Sequence, residues 1–316
     1  LLILASAAAL TLAAQAPPKL YRIGMLERTS PATNAANLDA FKQGLRDLGY
    51  VEGKNLAIEY RSADGLDDRF PALARKLVGL NVDLILTRGT PAALAAKNAT
   101  TTIPVVVTGI GDPVGQGIVT SLARPGGNLT GMSAVVTALY AKRVELIREL
   151  VPGATRIAAL FNMSNPALPP QWKEVDAAAR SVGVQAQLLD VRRVEDLGPA
   201  LDRAVSQRVQ ALVVGLDTLT QANQQIIVEL AARHRLPAIY ASVEFAGGLV
   251  VYGVNYPDHY RHAASFVDRI FKGAKPADLP IEQPTRLELV VNTRTARALG
   301  LTIPETLLLR ADRVIQ

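Results

Sequence analysis

The chain is expected to fold as two doubly wound, parallel-sheet (Rossmann-like) α/β lobes. Three observations carry this expectation. Strand-length apolar runs alternate with amphipathic stretches at helical spacing, the pattern of a parallel sheet covered by helices on both faces. The sequence of units repeats once. Gly49 and Gly183 stop equivalent helices, and Leu236-Pro237-Ala238-Ile239 matches Ile103-Pro104-Val105-Val106. The length of 316 residues suits two domains better than one.

The chain opens with Leu1 to Leu12, an uninterrupted apolar run, followed by the small-residue pattern Ala14-Gln15-Ala16. Residues 1–16 are expected to be an export leader, too short for a membrane span, and are set aside from the fold. Cleavage after Ala13 is an alternative, because Pro17 directly follows Ala16.

Tyr21 to Leu26 reads as the first strand. Leu38, Phe41, Leu45 and Leu48 then fall on one helical face, and Gly49 stops the helix. Leu56 to Tyr60 is the next strand. Asp67 or Asp68 is placed to cap a helix carrying Phe70, Leu73, Leu77 and Leu80. Val82 to Leu86 is a strand, after which Thr90 is expected to cap a helix with Pro91 in its first turn. Pro104 to Val107 is a fourth strand. It runs into Gly109, Gly111, Gly115 and Gly117 around Asp112-Pro113, and the stretch to Gly131 reads as loop leading to a first crossing near Met132 to Val136. A helix follows from Thr137 to Leu150.

The second half restates the first. Strands are expected at Arg156–Phe161, Gln185–Leu189, Val209–Val214 and Leu236–Ile239, with helices between them. The tail breaks the symmetry with a strand at Leu249–Tyr252, a helix at Asp258–Phe271, a strand at Leu287–Val291 and a helix closed by Gly300. No glycine–serine linker separates the halves, so short, stiff crossings should join them.

Composition narrows the function. The chain is 49% hydrophobic and 20% charged, as a globular protein is. It has a net charge of +6, but its Lys and Arg alternate with Asp and Glu, and aromatics make up only 5%. Neither a basic arm nor a stacking surface for nucleic acid is present, so no nucleic-acid partner is expected. The absence of cysteine removes disulfides, thiolate metal sites and thiol nucleophiles. No segment after the leader is apolar enough to span a bilayer.

In open parallel sheets, ligands bind beyond the carboxyl ends of the strands. The loops that would line a cleft between facing lobes are Glu27–Pro31, Thr87–Pro91 and Thr108–Pro113 in the first half, and Asn162–Pro166, Gly215–Asp217 and Tyr240–Glu244 in the second. The candidate ligand residues are therefore Arg28, Thr29, Ser30, Arg88, Gly89, Thr90, Gly109, Asp112, Asn162, Ser164, Asn165, Asp217, Tyr240, Ser242 and Glu244. Arg28 and Arg88 could converge on a carboxylate, and Asp112 or Asp217 could hold an ammonium.

Catalytic motifs are lacking. Gly109-Ile110-Gly111 begins like a dinucleotide fingerprint, but Asp112-Pro113 stands where the phosphate-binding helix should start. There is no Walker lysine motif or nucleophile elbow. His259 and His262 are expected to be a solvated pair on one helix, not metal ligands, and His234 a helix C-terminal cation. Trp172 reads as packing. No metal, cofactor or catalytic residue is assigned, and the chain is expected not to be an enzyme.

Several stretches resemble the substrate-binding proteins of ABC transporters of the tryptophan/tyrosine type. They are GDPVGQGIVTSLARPGGNLTG (Gly111–Gly131), KRVELIRELVPG (Lys142–Gly153), the Asn162/Asn165-Pro166 loop, AARHRLPAIY (Ala231–Tyr240), FKGAKPADLPIEQPT (Phe271–Thr285) and LGLTIPETLLLRADRVI (Leu299–Ile315). The resemblance covers nearly the whole chain after the leader. It implies a type I periplasmic-binding-protein fold, with two lobes joined by three hinge crossings. Residues 17–133 with about 256–284 would form the N-terminal lobe, and 134–255 with about 285–316 the C-terminal lobe. It further implies a periplasmic monomer that encloses a small molecule and delivers it to a membrane permease. The chain departs from the family pattern at Glu27-Arg28-Thr29 and at Arg88, where small residues are usual, and in a shortened segment after Tyr240. Two cleft arginines suggest a ligand carboxylate, on an aromatic amino acid or an aromatic or organic acid. An α/β enzyme of similar architecture and the sensing domain of a regulator are the alternatives. Both are disfavoured, the first by the missing motifs, the second because a leader and not a helix-turn-helix precedes Tyr21.

Overall fold

The computed structural model describes residues 19–134, 137–284 and 286–316. The expected leader, and part of the expected first crossing, lie outside the described residues.

The first half contains β1 (Tyr21–Glu27), α1 (Ala35–Asp47), β2 (Leu56–Ser62), α2 (Phe70–Gly79), β3 (Leu84–Thr87), α3 (Thr90–Ala99), β4 (Val105–Ile110) and β5 (Leu129–Ser133). Its five strands form a parallel sheet in the order β2-β1-β3-β4-β5. Both faces are covered, so its central strands read as continuous apolar runs. Ile23, Met25, Leu86 and Val106 pack with Phe41 and Leu45 of α1. Leu26, Ile85, Val105 and Val107 pack on the other face with Phe70 and Leu77 of α2 and Ala92 and Ala96 of α3.

The second half runs α4 (Thr137–Leu150), β6 (Arg156–Phe161), α5 (Leu168–Ser181), β7 (Gln185–Asp190), α6 (Leu197–Ser206), β8 (Ala211–Val214), α7 (Thr218–Ala222), α8 (Gln224–Arg233), β9 (Ala238–Ser242) and β10 (Val250–Val254). The tail then supplies α9 (Tyr256–Phe271), β11 (Glu288–Asn292), α10 (Thr293–Leu299), α11 (Glu305–Arg310) and β12 (Arg313–Ile315). The second sheet has the order β12-β11-β10-β9-β8-β6-β7. One apolar layer sets Ile157, Ala159, Phe161 and Val213 against α4 and α5, and the other sets Ala158, Leu160, Leu212 and Val214 against α6 and α8.

Helix α9 returns to the first lobe. Tyr260, Ala263, Phe266 and Val267 join the layer that holds Phe41 and Leu45. Gly44 makes this possible, because a Cβ there would lie 2.6 Å from the Arg261 carbonyl oxygen. The chain thus passes between lobes from β5 to α4, from β10 to α9, and from Glu282 to β11. Glu282 pairs with the first passage. Its N–H donates to the Gly131 oxygen at 2.9 Å, and its oxygen accepts from the Ser133 N–H at 2.8 Å.

Four expectations need correction. Leu129–Ser133 is not loop but the edge strand β5; Gly131 sits there at φ 125°, where a Cβ would lie 2.2 Å from the Val107 oxygen. The second sheet is not purely parallel, since β11 runs antiparallel to β10. Asp67 and Asp68 begin a short 3-10 turn, and α2 follows with no side-chain cap. Gly89, at φ 84°, is the cap residue of α3, while the Thr90 hydroxyl accepts from the Gly111 N–H at 3.3 Å.

Candidate ligand cleft

The carboxyl ends of β1, β3 and β4 face those of β6, β8 and β9. The two sets meet closely because residues between them are small. A Cβ on Gly89 would lie 2.8 Å from Thr218 Cγ2, and one on Gly111 would lie 2.8 Å from Ala167 Cβ. Gly109 leaves space for the Tyr256 ring, 2.9 Å from where its Cβ would stand. Between the lobes lies a cavity of about 30 Å³, bordered by Thr90, Asn165, Gln171, Asp217 and Tyr256 among others. A wider recess of about 440 Å³ adjoins Thr29 and Ser30 on one lobe and Leu219 and Asn223 on the other.

Both cleft arginines are buried, and both are paired within the chain. Arg28 donates to the Asp67 carboxylate, to the Gly65 oxygen at 2.5 Å, and across the cleft to Thr218 Oγ1 at 3.5 Å. Burial holds the Asp67 carboxyl above its ordinary value despite the opposing charge of Arg28. Arg88 Nη1 donates to Glu244 Oε1 at 2.9 Å, and its guanidinium lies over the Tyr256 ring, 4.9 Å from the centroid. Burial works against the Arg88 charge, but Glu244 and the surrounding groups hold its pKa above the ordinary value.

Glu244 is the meeting point of the two lobes. Its Oε1 accepts from Asn37 Nδ2 and Arg88 Nη1, each at 2.9 Å, and its Oε2 accepts from Gln221 Nε2 at 2.8 Å and Ser242 Oγ at 3.2 Å. Behind Arg88 sits Glu27, 1% exposed, whose Oε1 accepts from the Tyr260 hydroxyl at 2.6 Å. Burial pushes the Glu27 carboxyl up to about 7, with Arg88 and the Tyr260 hydrogen bond pulling the other way.

Asp217 caps α7 and gathers the Asn162–Pro166 loop. Its Oδ1 accepts from the Leu219 N–H at 2.8 Å and Asn162 Nδ2 at 3.1 Å, and its Oδ2 accepts from Asn165 Nδ2 at 2.7 Å. These amide donors satisfy the Asp217 carboxylate, which is 3% exposed at the cleft.

The structure brings Arg28, Arg88, Gly89, Thr90, Gly109, Asn162, Asn165, Asp217, Ser242 and Glu244 together, with Thr29 and Ser30 at the rim. Three candidates stand apart. Asp112 is exposed at φ 32°, and its carboxylate accepts from the Gly115 N–H of its own loop at 2.9 Å. Tyr240 lies in the apolar layer of α6 and α8, its ring stacked on Phe245 at 4.8 Å, because strand alternation turns it away from the cleft. Ser164 is exposed and donates to Asn162 Oδ1 at 2.5 Å, so it shapes the loop.

Sequence reasoning placed Glu27 in a cleft loop without giving it a role, and missed Asn37, Gln171, Gln221, Tyr256 and Tyr260. Glu27 is the last residue of β1. The others sit on helices that only tertiary packing aims at the cleft. Elsewhere, His259 is buried and not solvated, its Nδ1 2.9 Å from the Thr108 oxygen. His262 is exposed and bonds Glu282 at 2.6 Å. His234 ends α8, and Trp172 packs on the C-terminal lobe core, both as expected. Among the described residues no cluster of three or more metal-ligating side chains occurs, and no helix is long and apolar enough to cross a membrane.

Two facing parallel-sheet lobes with a polar cleft at the strand ends define a type I periplasmic binding protein. Residues 24–315 match the family model of ABC transporter substrate binding proteins, and the chain belongs to that family. It is 29% identical over 272 residues to a tyrosine-binding protein of Clostridioides difficile (strain R20291), covering 84% of this chain and 78% of that one. It is 27% identical, with a TM-score of 0.86, to an ABC domain from Streptococcus pneumonia in complex with L-Trp, covering 94% of this chain and 100% of that one. With the ligand-free, open structure of a substrate binding protein with adhesive properties from Clostridium difficile, the identity is 25% and the TM-score 0.66, over the same 94% and 100%. The family and these relatives are solute-binding proteins, so this chain binds a solute and is not an enzyme.

Proposed function

We propose that the chain is the extracytoplasmic solute-binding component of an ABC importer. It captures a small carboxylate-bearing ligand, an aromatic amino acid or an aromatic or organic acid, by hinge closure and delivers it to a membrane permease. The expected leader at 1–16 supports export, and the protein is taken to act as a monomer. The observation that carries the reading is that buried ionic groups from both lobes stand at the facing strand ends, where Arg28 bonds Thr218 and Arg88 bonds Glu244 across the cleft, with Asp217 beside Thr218. Arg88 would take the carboxylate, and Asp217 an ammonium where the ligand has one. The higher similarity to the L-Trp complex than to the open relative, at nearly equal identity, supports a closed arrangement of the lobes here. A space of about 30 Å³ holds little more than one water, so a solute enters only when the lobes part. Micromolar capture needs about −8 kcal/mol, within reach of one carboxylate clamp and one apolar contact.

A thermal-shift screen against L-Trp, L-Tyr, aromatic acids and dicarboxylates tests this. Saturable stabilisation by an unaltered carboxylate, lost in Arg88→Ala, is the expected result. Turnover of the stabilising compound, or undiminished binding in both Arg28→Ala and Arg88→Ala, would refute it.

A further inference from the structure

We infer that Glu244 is a tethered occupant of the cleft's carboxylate site, and that an incoming ligand carboxylate takes its place. The inference rests on the proposed function for the nature of the solute, but the site itself stands on geometry. Both oxygens of Glu244 are satisfied by two donors each. Asn37 and Arg88 come from the N-terminal lobe, and Gln221 and Ser242 from the C-terminal lobe. A carboxylate held by charged and neutral donors from both lobes is what a ligand enclosed by closure would experience. Here the chain supplies that carboxylate itself, from the short turn that follows β9.

The surroundings make the site a built one. Asn37, Arg88, Gln221 and Ser242 are each 5% exposed or less, whereas the Glu244 side chain is 17% exposed, so the guest is less buried than its hosts. Arg88 Nε and Asn37 Oδ1 are buried without partners among the described residues, so the site keeps polar capacity that Glu244 does not use. The Tyr256 ring under the Arg88 guanidinium fixes its plane.

Two consequences follow. Glu244 draws the lobes together, since among the described residues it is the group of the other lobe that bonds both Arg88 and Asn37. A ligand carboxylate must displace it, so solutes lacking an anionic group leave the site closed to them. The device sets ligand class by competition, because binding is weakened by the fraction of molecules in which Glu244 holds the site.

Chemical rescue tests the inference. Glu244→Ala removes the atoms of an acetate ion from the site. Acetate is expected to raise the Tm of the variant saturably, by about 4 °C, while wild type shifts no more in acetate than in chloride of equal ionic strength. The double variant Arg88→Ala/Glu244→Ala should lose the acetate response. An equal response in wild type and Glu244→Ala, or a response that survives in the double variant, overturns the inference. Glu244→Gln keeps the shape but sets amide hydrogens against the donors. In small-angle scattering it should show a larger radius of gyration than wild type; an unchanged radius also overturns the inference. Acetate rescue without any hit in the solute screen would leave the site standing and sink the transport reading. Solute binding without acetate rescue would do the reverse.

Discussion

Glu27→Gln should reverse a pH-dependent cost at the floor of the cleft. The carboxyl is raised from its ordinary 4.5 to about 7 by burial, against the pull of Arg88 and Tyr260. A raised carboxylate pKa means that the folded state binds the proton more tightly than the unfolded state. The resulting stabilisation is fully present below about 4.5 and is lost as pH rises through about 7. The gap between the two values corresponds to at most about 3 kcal/mol. Glutamine keeps the shape and still offers a carbonyl to the Tyr260 hydroxyl, but it never ionises. The variant should therefore match wild type near pH 4.5 and exceed it by about 3 kcal/mol above pH 7.5, or about 5 °C in Tm for a chain of this size. Thermal unfolding followed by circular dichroism from pH 4.5 to 8.5 measures the difference. A gap that stays constant over this range, or one that closes at high pH, would refute the assignment. In an Arg88→Ala background the rise should begin at the same pH but continue to higher pH and end larger, because the guanidinium holds the Glu27 pKa down.

Two further outcomes come from packing. Gly111→Ala places a Cβ 2.8 Å from Ala167 Cβ across the cleft, so it should wedge the lobes apart and weaken ligand binding about tenfold, roughly 1.4 kcal/mol. Calorimetric titration of whichever solute the screen identifies reads this, and unchanged affinity would mean that the lobes do not meet there in the bound state. Arg143 is fully buried on α4, with Nε on the Tyr252 oxygen at 2.9 Å and both terminal nitrogens unpartnered among the described residues. Its guanidinium also lies over the Tyr140 ring, 4.5 Å from the centroid, so Arg143→Met removes a donor from the buried Tyr252 oxygen and a cation from that ring and should cost about 2 kcal/mol. Urea unfolding at neutral pH checks it, and a gain of stability would show that the buried charge outweighs both contacts.

The two-lobed α/β architecture is legible in the amino-acid order. The alternation of buried strands with amphipathic helices and the repeated order of units are local signals, and both survive in the fold. Strand ends that face the cleft were legible too, but Asp112, Ser164 and Tyr240, named with them, turn away from it. Leu129–Ser133 was hidden because its glycine breaks the strand pattern, and only the Val107 backbone beside it explains why that glycine is needed. The direction of β11 was hidden because an apolar run carries no information about the sense of its partner. How the charges of the cleft are shared is a matter of packing. Arg28 and Asp67, 39 positions apart, meet only when β1 and β2 pair in one sheet, and Arg88 and Glu244, 156 positions apart, meet only when both lobes are in place. Charge pairing is set by distance in space. A residue's type and strand-end position show that it reaches the cleft, but only packing shows which partner it finds there, and so which of its charges a ligand must displace.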